Sequence, residues 1–106
     1  MRTEDHEIPR EEWDAFLDRF TDEHRGRLMR ISLSGEGMEE EVVRDSVPFL
    51  SASFDPHHEG VLSIAAGRDL ILYEHPVRDA AALRVREDAL EILDEEGNRV
   101  MITFEA

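Results

Sequence analysis

Residues 8–26 read IPREEWDAFLDRFTDEHRG, and the spacing of their apolar side chains decides the architecture. Trp13, Phe16, Leu17, Phe20 and His24 recur three and four residues apart, which places them on one stripe of an α-helix. Glu11, Asp14, Asp18 and Asp22 line the opposite side. Pro9 at the first helical position, acids in the opening turn and Gly26 beyond the last turn are start and stop signals, so a helix is predicted over residues 9–25. Asp14, Asp18 and Asp22 stand four apart and repel one another by about 0.2–0.5 kcal/mol per pair. Such a helix is held by docking its aromatic face.

After Gly26 the hydrophobic period changes from helical to two. Met29, Ile31 and Leu33 alternate with Arg30, Ser32 and Ser34, and the pattern of a half-buried antiparallel sheet continues to the end of the chain. Strands are expected over residues 27–34, 40–46, 48–54, 60–66, 70–75, 82–87, 89–94 and 99–105. The closing hairpin turns at Glu95, Glu96 and Gly97, whose glycine takes the positive φ that a short loop requires. LILY, residues 70–73, is apolar on both faces and is therefore expected to be covered on both, by sheet interior on one side and the helix on the other. The expected fold class is α+β, mainly β. One N-terminal amphipathic helix packs on a curved antiparallel sheet or small partly open barrel. The chain reads as a single domain over residues 1–106, with 1–7 flexible, the helix within 8–26 and an antiparallel β meander over 27–106.

Composition narrows the functions. The 26 acidic residues outnumber 12 basic ones for a formal net charge of −14, and every basic residue is arginine because the sequence has no lysine. Nucleic acids and anionic membranes recruit proteins through clustered Lys and Arg, which this chain does not offer, so neither is an expected partner. The acidity fits a saline cytoplasm, where carboxylates keep a surface hydrated, and a GC-rich genome would remove lysine equally well. With no cysteine, disulfides, thiolate zinc sites and thiol nucleophiles are excluded. The charged start MRTEDHE carries no apolar stretch for a signal peptide or membrane span, and a cytoplasmic location is expected.

The stretch that most resembles chemistry is FDPHHEG, residues 54–60. Adjacent histidines on extended backbone point to opposite faces, and no second element supplies matching ligands, so His57 and His58 are weighed as a metal site and not favoured over a turn. His24, at the last helical turn beside Phe20, suits a structural role at the negative end of the helix dipole. His75 precedes Pro76 and is the more exposed of the two. His6 lies in the terminal segment and is assigned nothing. Twenty-six carboxylates offer no way to choose an acid–base pair, and no nucleophile elbow, phosphate-binding glycine loop or dinucleotide fingerprint is present. No cofactor is implied.

The segment IPREEWDAFLDRFTDEHRG, the strand at VPFL, the HPV after LILY and the closing ALEI and MITF together resemble a family of short bacterial proteins of unknown function, DUF5335. The resemblance runs from about Ile8 to Phe104, with Pro9, Trp13, Phe16, Leu17, Phe20, His24, Gly26, His75 and Pro76 as its signature here. It implies one compact domain and no substrate, and it makes His24 and His75 the better candidates for a binding site. The expected function is a small non-catalytic interaction module that binds a protein partner or a second copy of itself through an exposed edge or apolar strip. The alternative is a small-molecule binder or enzyme with a pocket containing His24 and His75.

Overall fold

The computed structural model describes residues 6–57, 60–87 and 89–105. The elements are β1 (His6–Glu7), a 3₁₀ turn (Arg10–Glu12), α1 (Trp13–His24), β2 (Leu28–Gly35), β3 (Met38–Asp55), β4 (Val61–Gly67), β5 (Ile71–Val77), β6 (Ala80–Arg86), β7 (Ala89–Asp94) and β8 (Arg99–Phe104). All strand pairs are antiparallel and form one sheet in the order β1-β6-β7-β8-β2-β3-β4-β5. The fold is α+β, mainly β, and the sheet stays open. A two-residue turn at Arg78 and Asp79 joins β5 to β6, yet these strands are not neighbours in the sheet. Strong curvature brings them together: a flat sheet carrying one helix would be only about 20 Å deep, whereas the molecule measures 35 × 31 × 31 Å.

The helix forms where its pattern places it. Pro9, with φ −59°, leads into the 3₁₀ turn, and α1 buries Trp13, Leu17, Phe20, Thr21 and His24. Trp13 meets Phe54 edge to face at 4.8 Å and donates its indole N–H to the Ile8 carbonyl at 2.9 Å. The Arg10 guanidinium lies over both rings and donates to the Ala80 carbonyl at 3.0 Å, tying the helix entry to β6. Gly26, with φ +91°, ends the helix; a Cβ there would meet nothing within 4 Å, so it is the backbone angle that favours glycine.

What α1 docks on follows from how β3 is shared. The sequence pattern suggests two strands, 40–46 and 48–54, where the structure has one of 18 residues, kinked at Ser46 with φ 55°. Its first part pairs with β2 and its second with β4. Past Pro48, which faces Leu28, β2 has not yet begun, and the end of the helix takes its place along β3. Gly26 N–H donates to the Phe49 carbonyl at 2.8 Å, and Phe49 N–H to the Arg27 carbonyl at 2.8 Å. Further along, the Thr21 hydroxyl accepts from Ala52 N–H at 3.0 Å and donates to the Ala52 carbonyl at 3.2 Å. One side chain thus satisfies both backbone groups of a buried strand residue. Inside the curl Phe49, Met29, Ile31, Leu62, Ile64, Leu83, Leu90, Ile92 and Ile102 join the helix's aromatic face in one core.

Two expectations are corrected. His6 and Glu7, placed in a flexible terminus by the sequence pattern, pair with Val85 and Arg84 as β1; residues 1–5 of that segment lie outside the described residues. LILY is not covered on both faces. Leu70, Ile71 and Leu72 are 75%, 57% and 79% exposed, because α1 packs on β3, two strands further in, and β5 is the last strand of the sheet.

Candidate functional site

His24 and His75 occupy separate environments. His24 is buried between Phe20 and Phe104, its ring stacked on theirs at 4.2 Å and 4.7 Å between centroids. Its Nδ1 lies 2.9 Å from the Phe20 carbonyl. A carbonyl only accepts, so Nδ1 carries a proton and donates. The imidazole therefore seals the helix's last turn against β8.

His75 is half-buried on β5 and lines a cleft of about 450 Å³ at the open end of the sheet, with Met38, Pro76, Asp79, Asp94 and Arg99 among its walls. His24 is not among the cleft's residues. Tyr73 Oη lies 3.1 Å from His75 Nδ1, and the Arg44 guanidinium stands 3.9 Å over the Tyr73 ring. Burial lowers the His75 pKa by penalising the charged imidazolium.

In FDPHHEG, His57 is exposed and its N–H donates to Asp55 Oδ1 at 2.9 Å, closing a turn. His58 and Glu59 lie outside the described residues. Among the described residues no three metal-ligating side chains converge.

Glu91 is a charged centre that the sequence pattern does not reveal. It sits on β7 between the core residues Leu90 and Ile92, with its side chain on the other face of the sheet and only 3% exposed. Arg84 Nη1 donates to one carboxylate oxygen at 3.4 Å and Arg99 Nη1 to the other at 3.1 Å, while Arg84 Nε reaches Glu7 at 3.4 Å. These residues, with His6 and Arg86, line a depression of about 420 Å³. Arg84 stands directly opposite Glu91 across the β6–β7 hairpin. That register is the signal from which the pair could have been found. With two guanidiniums already on one carboxylate, the cluster ties β1, β6, β7 and β8 together and leaves little for a ligand.

The surface feature that stands apart from structural needs is the edge of β5. Gly67 makes the approach to it so tight that a Cβ there would lie 2.0 Å from the Leu70 carbonyl oxygen, at φ +148°. The chain then presents Leu70, Ile71 and Leu72 to solvent in succession, flanked by exposed Arg68, Asp69 and Glu74. Among the described residues no strand pairs with the outer side of β5. Edge strands are normally defended by charges, prolines or bulges. Here a register irregularity at Gly67/Ile71 guards one end and Pro76 the other, while residues 70–73 between them carry no charge. An edge of this kind can accept an extended segment, the backbone supplying hydrogen bonds and the leucines apolar area.

Among the described residues no helix is long and apolar enough to cross a membrane. No curated protein and no solved structure matches the chain. The sequence does match one family model, over residues 4–106, and the chain accordingly belongs to DUF5335, a family of unknown function.

Proposed function

We propose that this protein is a non-catalytic interaction module whose docking element is the outer edge of β5, to which a protein partner adds an extended apolar strand. The observation that carries this reading is the exposure of three consecutive large apolar side chains, 57% to 79%, at the start of an edge strand: Ile71 and Leu72 on β5 and Leu70 in the turn just before it. In water each fully buried leucine or isoleucine would contribute about 1.5–3 kcal/mol, so leaving all of them open forgoes a large apolar term that docking would recover. The family match supplies no activity that competes with it. A photo-crosslinking residue replacing Leu72 in producing cells should yield discrete protein adducts, and the same residue replacing Asp18 on the helix's exposed face should not. Equal labelling from both positions, or none from Leu72, would refute the module.

The second reading is a small-molecule site in the cleft beside His75. The half-buried imidazole with a lowered pKa and the apolar wall at Met38 and Pro76 favour it. His75→Ala abolishing binding of a ligand found by screening, with association through Leu72 absent, would put this reading ahead.

A further inference from the structure

Resting on the second reading above, we propose that the cleft beside His75 takes a small uncharged ring compound bearing a hydroxyl, the ring against its apolar walls and the hydroxyl bonded to the imidazole. Three hairpins build this cleft. Leu33 and Met38 come from either side of the β2–β3 turn, His75, Pro76 and Val77 from β5 where it turns into β6, and Val100 from β8 just past the β7–β8 turn. The walls are held in place without a ligand. A Cβ on Gly35 would lie 2.7 Å from Asn98 Oδ1, so the first turn seats closely against the third only because residue 35 has no side chain. The third is locked by Asp94, whose carboxylate accepts from Glu96 N–H and Asn98 N–H, both at 2.9 Å, and from Asn98 Nδ2 at 3.0 Å. The enclosed space of about 450 Å³ falls toward the lower end of the about 300–1,000 Å³ of small-ligand sites and suits one ring system.

The polar groups of the lining say what the ligand carries. Asp94 is consumed by its turn, Arg99 Nη1 donates to Glu91 at 3.1 Å, and Arg78 has a partner of its own. Asp79 and Glu96 make no side-chain bond among the described residues, and both are exposed at the rim. The half-buried polar groups left for a ligand are the His75 imidazole and the Ser34 hydroxyl, neither of them charged. Burial lowers the His75 pKa and no charged group contributes to that shift, so the ring is neutral at pH 7. Tyr73, on the same face of β5, holds Nδ1 at 3.1 Å from outside the cleft, with the Arg44 guanidinium over its ring. Nε2 is therefore the nitrogen that a ligand can reach. A hydroxyl suits it in either tautomer, because it both donates and accepts. A carboxylate would instead enter a half-buried site with no free cation among the described residues, and would face Asp79 and Glu96 at the mouth.

The experiment is an NMR titration that follows the His75 ring and Met38 methyl signals against p-cresol, p-toluate, p-methylbenzylammonium and p-xylene. The cresol should move both signals saturably. p-Xylene offers Nε2 nothing and should bind about threefold more weakly or worse, for one hydrogen bond lost. The toluate should bind about tenfold more weakly or worse, for a charge left without a partner. His75→Phe keeps a ring and removes the nitrogen, so the cresol should fall to the affinity of p-xylene, read at Met38. Met38→Trp fills the cleft from an exposed position and should abolish binding of all four; circular dichroism confirms that the variants fold. A toluate or ammonium that binds more tightly than the cresol, or cresol binding untouched by His75→Phe, would overturn the neutral hydroxyl ligand and leave a cleft site standing. If none of the four moves either signal up to its solubility limit, or Met38→Trp changes nothing, the second reading falls together with the inference.

Discussion

Replacing Thr21 by valine tests how the helix is held. Thr21 and Ala52 are 6% and 3% exposed, so water cannot take over the bonds that the hydroxyl makes to both backbone groups of Ala52. Valine has the same shape and no hydroxyl. It leaves a buried N–H without an acceptor, about 1–3 kcal/mol, and removes one further bond of about 1 kcal/mol. The extra methyl offsets less than about 1 kcal/mol of this. The net loss should be about 2–3 kcal/mol, or about 10–20 °C in Tm for a domain of this size. Thr21→Ser retains the hydroxyl and loses one methyl, which costs about 1 kcal/mol. The assay is urea unfolding followed by tryptophan fluorescence and circular dichroism, with an unchanged m-value showing that only stability moved. For an ordinary buried threonine, valine would be the milder change. Here it should be the harsher one, and a valine variant as stable as the serine variant would refute the reasoning.

Other outcomes follow from the same geometry. Burial holds the His75 pKa below its ordinary 6.5, so the unfolded chain binds this proton more readily. The resulting contribution is fully present above about pH 6.5 and is lost as pH falls toward the lower folded value. Tyr73, which bonds the imidazole, and Asp79, Asp94, Glu96, Arg78 and Arg99, which share its cleft, are the titratable and charged groups around it. His75→Gln should therefore flatten the stability–pH curve in that window, measured as urea midpoints from pH 5 to 7.5; an unaltered slope would count against burial as the cause. Glu91→Gln should cost about 1–2 kcal/mol in urea unfolding, less than a fully buried pair would, because Arg84 and Arg99 are 46% and 45% exposed and stay solvated. Loss of under about 0.5 kcal/mol would show that the arginines do not depend on it. With a net charge of −14, the unfolding midpoint should rise with KCl as screening relieves self-repulsion. A flat midpoint would remove the link to a saline cytoplasm.

The helix, most strands and the closing turn are legible because each rests on local spacing. Trp13, Leu17 and Phe20 declare a buried stripe, and Val100 and Ile102 declare a buried strand face, wherever their partners lie. What the pattern could not supply was the identity of those partners. Thr21 reads as an ordinary helical threonine until β3 runs past it, and His24 is visibly beside Phe20 while Phe104, which closes the stack, is 80 positions away. LILY misled for the same reason. An apolar run on both faces fits a strand covered twice and equally one left exposed at the edge of a sheet, and only the sheet order, which leaves β5 at the edge, separates the two. Of the histidines, the sequence placed His24 in a structural setting and His75 in a more open one, but not that a cleft would hold just one of them.

Hydrogen–deuterium exchange across β5, residues 71–77, alone and with the protein captured through Leu72 added, tests the docking edge most directly. This segment should exchange quickly alone and slow when the partner is present, while residues 10–20 keep a constant rate. Unchanged rapid exchange of residues 71–77 with the captured protein in excess would contradict the docking edge.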